Sequence, residues 1–185
     1  PGDLLVGNDS RVIPARLYGR KVPTGGQVEL LLLAKRGERV WEALTRGKRI
    51  RPGTAIALNA PDSDAGGPPG CRVLEVLESG SRLVEFETPV EEWLDGTGSV
   101  PLPPYIHEPL AEPDRYQTVY ASRPASAAAP TAGLHLTPAV LDRCVDAGAT
   151  IVHVELVVGL DTFRPIAVDD ITEHRMHTER YRVPA

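Results

Sequence analysis

Cysteine is scarce in this chain. Only Cys71 and Cys144 occur in 185 residues, far apart and without metal-type spacing. A secreted domain stapled by disulfides would carry more, so a reducing compartment is expected and both thiols are read as inert. Long apolar runs are missing as well. A membrane-spanning helix needs about 18 consecutive apolar residues, whereas the longest run, Leu30 to Ala34, is strand-sized. The start has no initiator Met, no basic leader and no signal-like apolar stretch. Pro1-Gly2-Asp3-Leu4 reads as a turn entering a strand, and Tyr181-Arg182-Val183-Pro184-Ala185 stops in mid-phrase. Both ends are therefore expected to be cuts in a longer polypeptide. No internal repeat is present, and the only biased tract is Ala125 to Ala129.

What is there fits a globular protein with a core. Apolar residues make up 42% and charged residues 24% of the chain, and a chain of this size buries about two thirds of its unfolded surface. Net charge is −5, but it is unevenly spread. Residues 1–60 carry 11 Lys and Arg against 5 Asp and Glu, whereas residues 61–185 carry 9 against 20. Such asymmetry is a hint of a polyanion-binding face. The basic residues cluster as Arg16, Arg20, Lys21, then Lys35, Arg36, Arg39, then Arg46, Lys48, Arg49, Arg51. Solvated hairpin tips would look the same.

Two textures alternate along the chain. Residues 11 to about 100 read as short strands between turns: Gln27 to Leu33, Arg39 to Thr45, Thr54 to Leu58, Cys71 to Leu77 and Arg82 to Glu87. Their number and spacing predict a small barrel or sandwich. Asn59 to Gly70, rich in Pro, Asp, Ser and Gly, predicts a mobile loop. Pro101-Leu102-Pro103-Pro104 predicts a stiff extended linker. From about Tyr105 the grammar changes. Thr137-Pro138 predicts a helix start, with Val140, Leu141, Cys144 and Val145 facing a core and Gly148 as the stop. Ala149 to Val158 predicts a strand buried on both faces. A helix followed by a buried strand belongs to an α/β domain.

Four polar phrases carry the chemistry: Asn8-Asp9-Ser10-Arg11, Pro130-Thr131-Ala132-Gly133-Leu134-His135, Gly159-Leu160-Asp161-Thr162-Phe163-Arg164-Pro165, and His174-Arg175-Met176-His177-Thr178-Glu179. Three follow strands or lead into a helix, where α/β proteins gather their ligand loops. Each has a structural alternative. Asp9 and Arg11 either form an ion pair with each other or contact a ligand. Gly133 either occupies a backbone conformation closed to larger residues or admits a ligand. His135 either caps the following helix or works on substrate. His174 and His177, three apart, share a face if helical, but a third metal ligand at a convincing spacing is missing, so no metal site is expected. His153, in mid-strand, is read as structural.

These phrases, with Pro1-Gly2-Asp3-Leu4-Leu5-Val6, Val12-Ile13-Pro14-Ala15-Arg16-Leu17, Pro101-Leu102-Pro103-Pro104-Tyr105-Ile106 and Arg115-Tyr116-Gln117-Thr118-Val119-Tyr120-Ala121, closely resemble the S-adenosylmethionine:tRNA ribosyltransferase-isomerase family, in the same order over essentially the whole chain. The resemblance implies an α/β catalytic domain, truncated at both ends, interrupted by a small β-barrel domain. The expected parts are 1–10 and 105–185 for the first, and 11–104 for the barrel and linker. It implies transfer and isomerisation of the ribosyl moiety of the co-substrate S-adenosylmethionine onto a 7-aminomethyl-7-deazaguanine at the tRNA wobble position. Epoxyqueuosine forms, and adenine and methionine leave, without a metal. The implied acid/base candidates are His135, His177 and Glu179. Asp9, Arg11, Thr131, Gly133, Thr162, Arg164 and His174 are implied as substrate-binding groups. Arg46, Lys48, Arg49 and Arg51 become expected contacts to the tRNA anticodon stem-loop. A cytoplasmic monomer is expected, and the chain alone is expected to be inactive. Two departures stand out: Val157 replaces a family His and Asp161 a family Gly. They leave a second reading, a catalytically degenerate tRNA-binding relative.

Overall fold

The structure is a computed structural model that describes all residues except 60–68, 103–105, 107–109, 111, 127, 159–167, 175, 177 and 185. The loop expected at 59–70 thus lies almost wholly outside the described residues. The chain divides into two compact units, residues 1–13 with 102–185, and residues 14–101. An α/β unit is interrupted by a β-barrel.

The α/β unit opens with β1 (Leu4–Asn8) and β2 (Ser10–Val12). The chain then leaves for the barrel: β3 (Arg16–Val22), β4 (Gln27–Lys35), β5 (Val40–Arg46), β6 (Ala55–Leu58), β7 (Cys71–Val76) and β8 (Arg82–Phe86). A short helix, α1 (Leu94–Thr97), follows. Back in the first unit come β9 (Arg123–Ser126), α2 (Pro138–Asp146), β10 (Thr150–Val157) and β11 (Arg180–Arg182).

In the barrel the strands close in the order β3-β4-β5-β8-β7-β6, every neighbouring pair antiparallel. Closure removes the free edges that a six-stranded open sheet would expose. Alternation supplies the core: Leu17, Val28, Leu30, Leu32, Ala43, Ile56, Val73, Val84 and Phe86 point inward. The turn at 90–92 and α1 add buried Val90 and Leu94, and the Trp93 ring packs on Phe86 at 5.5 Å. Glu42 is buried although its neighbours Trp41 and Ala43 take the inner face, because Ser81 and Arg36 cover its carboxylate.

In the α/β unit β1 pairs parallel with β10, which pairs antiparallel with β11; β2 pairs parallel with β9. Helix α2 begins and ends as expected. Thr137 Oγ1 accepts from the Val140 N–H at 3.3 Å, and Pro138 takes the first turn. Gly148, at φ +91°, donates to Val145 O while Ala149 donates to Cys144 O, the paired bonds of a Schellman stop. Burial departs from expectation in two places. β10 is a strand but not buried on both faces: its residues are half-buried or exposed, with Val152 exposed. No residue of α2 is buried, and Val145 is exposed. Among the described residues α2, β2 and β9 approach β10 and leave its residues only half-covered. Among them, no helix is long and apolar enough to cross a membrane.

Candidate functional site

The end of β1 is built from short polar side chains that substitute for backbone. Asn8 bridges to β10 through both amide atoms, Nδ2 donating to Leu156 O and Oδ1 accepting from Leu156 N, each at 2.9 Å. Ser10 Oγ adds a bond to Leu156 O at 2.8 Å. Gln117 does the same for β2, accepting from Val12 N–H and donating to Val12 O. Ser126 accepts from Val158 N–H at 3.0 Å. These bonds fix the carboxyl ends of β1, β9 and β10 beside one another.

Asp9 sits in this frame and is buried. It does not pair with Arg11, as the sequence allowed. Arg123 Nε lies 3.4 Å from Asp9 Oδ2 and Arg123 Nη1 3.0 Å from Glu155 Oε2, with Arg182 also on Glu155 at 3.3 Å. Arg11 instead reaches Asp114 at 2.7 Å on the surface. The reason is topological: Asp9 backbone O accepts from the amides of Ser122 and Arg123, which brings Arg123 and not Arg11 over the carboxylate. Ser122 Oγ donates to Asp9 Oδ2 at 3.2 Å, while Oδ1 is buried without a hydrogen-bond partner among the described residues.

The Thr131–His135 segment is a 3-10 turn. Gly133 is its buried residue, and space rather than backbone conformation requires glycine there: its φ is not positive, but a Cβ would lie 2.4 Å from Tyr120 Oη and 2.9 Å from Thr118 Cγ2. Tyr120 also packs against Gly7 and, at 5.4 Å between centroids, against the His153 ring. Asp9 and Gly133 thus meet the same stretch, Thr118 to Arg123. Thr118 Oγ1 and His153 Nε2 are buried beside Tyr120 with no hydrogen-bond partner among the described residues.

Thr131 and His135 are exposed at the two ends of the turn. His135 does not cap α2, since Thr137 does. His174 follows a 3-10 turn at Ile171–Glu173, and the described residues from 174 to 179 are not helical. Glu179 is half-buried just before β11. Thr162, Arg164 and His177 lie outside the described residues. Val157, the first departure, is half-buried in β10 opposite Arg180, and Asp161 lies outside the described residues. Among the described residues no group of three or more His, Cys, Asp or Glu could hold a metal ion. Arg46 ends β5, and Lys48, Arg49 and Arg51 follow it; all four are exposed. Arg123, Glu155, Tyr120, Thr118 and Gln117 were not singled out as site residues from sequence. Only the phrase Arg115 to Ala121 marked that region, without a role for any residue in it.

Comparison with known proteins gives this arrangement its context. The chain is 49% identical over 186 residues, 99% of its length, to the S-adenosylmethionine:tRNA ribosyltransferase-isomerase of Pelotomaculum thermopropionicum. It is 50% identical over 185 residues to the protein of that name from Desulfitobacterium hafniense. It covers 53% and 52% of those two proteins, so it spans about half the length of the curated relatives it matches. A solved S-adenosylmethionine tRNA ribosyltransferase from Thermotoga maritima matches 85% of this chain and 41% of its own, at 27% identity and a TM-score of 0.39. The family described as queuosine biosynthesis protein matches residues 1–185 from end to end, and the chain belongs to that family.

Proposed function

We propose that the protein carrying this chain transfers the ribosyl moiety of S-adenosylmethionine to the aminomethyl group of 7-aminomethyl-7-deazaguanine at the tRNA wobble position and isomerises it to epoxyqueuosine. Adenine and methionine are the other products. The observation that carries the reading is 49–50% identity across 98–99% of the chain to two proteins named as S-adenosylmethionine:tRNA ribosyltransferase-isomerases. The co-substrate is S-adenosylmethionine, the partner is the tRNA anticodon stem-loop, and the setting is a cytoplasmic monomer.

The chemistry asks for proton transfers rather than a metal. The sulfonium acidifies the ribose C5′ hydrogens, so a positioned base can take one. The attacking amine must be neutral, and adenine must be helped to leave. Imidazole and carboxylate groups suit these steps, each contributing about 10²–10⁴ in rate. His135, His177 and Glu179 are the acid/base candidates. Thr131, Gly133, Thr162, Arg164 and His174 position substrate. Oδ1 of buried Asp9, without a hydrogen-bond partner among the described residues, offers an acceptor to an amine, hydroxyl or base N–H. Arg11, held on Asp114, borders the same strand end. Arg46, Lys48, Arg49 and Arg51 are phosphate contacts on the barrel.

The test uses the full-length protein with S-adenosylmethionine and tRNA bearing the aminomethyl precursor. Adenine and methionine should appear in equal amounts, with the matching mass gain on the tRNA. The 185-residue chain alone should release neither. A full-length protein that binds tRNA but gives neither product overturns the catalytic reading in favour of the degenerate one, which Val157 and Asp161 motivate.

A further inference from the structure

The barrel carries a cavity of about 490 Å³ on the β3-β4-β5 face, lined by Tyr18, Arg20, Gln27, Glu29, Arg46 and Asn59 with the backbones of Gly19 and Gly47. Strand register explains the assembly. Tyr18 stands opposite Glu29, Glu29 opposite Arg46, and Arg20 opposite Gln27, so one row of outward side chains crosses three strands. The inward neighbours of these positions, Leu17, Val28 and Leu30, fill the core, and the row itself faces outward.

Its chemistry is specific. Tyr18 is 46% exposed, an aromatic face open to solvent on a rigid strand. The one acid in the lining, Glu29, is neutralised by Arg16 at 3.3 Å. Arg46 is exposed and, among the described residues, forms no side-chain hydrogen bond or ion pair. Arg20 has only a 3.4 Å contact to Gly25 O. The loop beyond Arg46 is held in place beside the cavity: Lys21 Nζ donates to Lys48 O at 2.7 Å, and Ile50 is buried. Lys48, Arg49 and Arg51 therefore project from a fixed turn, with no acid between residues 43 and 61.

An exposed aromatic ring flanked by two exposed guanidiniums that make no ion pair among the described residues, in a cavity within the small-ligand range of about 300–1,000 Å³, matches the way single-stranded nucleic acid is held. A base stacks on the ring and the neighbouring phosphates meet the arginines. We infer that this cavity is a nucleotide subsite for an unpaired RNA base, stacked on Tyr18 with its flanking phosphates on Arg20 and Arg46. The inference rests on the tRNA reading above and adds to it a stacking contact, which the basic cluster alone would not provide. A duplex offers no free base face, so the subsite selects a loop.

The test measures binding of a fluorescein-labelled anticodon stem-loop RNA to the full-length protein, with a blunt RNA duplex of equal length as comparison. Tyr18→Ala should weaken stem-loop binding about tenfold or more, and Tyr18→Phe, which keeps the ring, should bind like wild type. Arg20→Ala and Arg46→Ala should each lower the slope of log affinity against log salt by about 0.7. Thermal unfolding of each variant checks that the barrel is intact. Wild-type binding that Tyr18→Ala leaves unchanged overturns the subsite and leaves the tRNA reading standing. Equal losses in Tyr18→Ala and Tyr18→Phe assign the contact to the hydroxyl and overturn stacking. A wild-type protein that binds neither RNA overturns both.

Discussion

The hydroxyl of Tyr120 occupies the space that any side chain at Gly133 would need: a Cβ there would lie 2.4 Å from the phenolic oxygen. The ring cannot easily swing away, because Gly7 and His153 hold its other edge and face. Gly133→Ala should therefore cost about 1–3 kcal/mol by overpacking. Tyr120→Phe removes the oxygen but leaves Thr118 Cγ2 at 2.9 Å, so the double variant should recover part of the loss. A double-mutant cycle in urea measures the coupling. Simple additivity would refute the steric account.

Sequence reached five of the six barrel strands, β4 to β8, through short apolar runs bounded by turns, and did not single out β3, whose Gly19, Arg20 and Lys21 dilute the strand signal; Val28, Leu30 and Leu32 in β4 are all inward, as a period of two demands. It reached both ends of α2 through Thr137 and Gly148, whose roles are local. It failed on the burial of β10 and α2, because an apolar run states what can be covered and not what covers it. It also failed on the partner of Asp9. Arg11 is two residues away and Arg123 is 114, and only the β1-β2-β9 arrangement decides between them. The Tyr18 cavity was illegible for the same reason, since register across three strands joins Tyr18, Glu29 and Arg46.

The barrel should lose stability on acidification through Glu42. Burial raises its carboxyl pKa, but hydrogen bonds from Ser81 and Arg36 and the Arg36 charge outweigh it, and the net direction is downward from 4.5. A folded pKa below the unfolded one gives stability that is present above the unfolded value and lost as pH falls through the folded one. Urea midpoints should thus drop below about pH 4.5 in wild type, and less steeply in Glu42→Gln. Ser81→Ala, which removes the 2.6 Å bond to Oε1, should cost about 1–3 kcal/mol at neutral pH. An acid limb unchanged in Glu42→Gln would remove this carboxylate from the account.

The two cysteines should differ in reactivity. Burial, with a smaller contribution from Glu87, pushes the Cys71 thiol up to about 12, whereas Cys144 on α2 is only half-buried. The thiolate is the reacting species. Maleimide at pH 8 should label Cys144 alone in the native protein and both residues in urea. Peptide mass mapping reads the sites, and native labelling of Cys71 would show that the barrel opens on the labelling timescale.

Arg123 should hold the α/β unit together beyond its own exposure. It spans Asp9 and Glu155, and Glu155 keeps Arg182 when Arg123 is lost, whereas among the described residues the Asp9 carboxylate keeps only Ser122 Oγ. The damage in Arg123→Ala should therefore fall on Asp9, a buried carboxylate left without a countercharge. About 1–3 kcal/mol is expected, discounted from a fully buried pair because the guanidinium is partly solvated. Amide exchange should accelerate at Ser122 and Arg123, whose N–H groups bond Asp9 O, and should not change in the barrel. Adding Asp9→Asn neutralises the stranded charge and should restore part of the protection. If Asp9→Asn instead adds its full separate cost to Arg123→Ala, the two residues act independently and the ion pair contributes nothing.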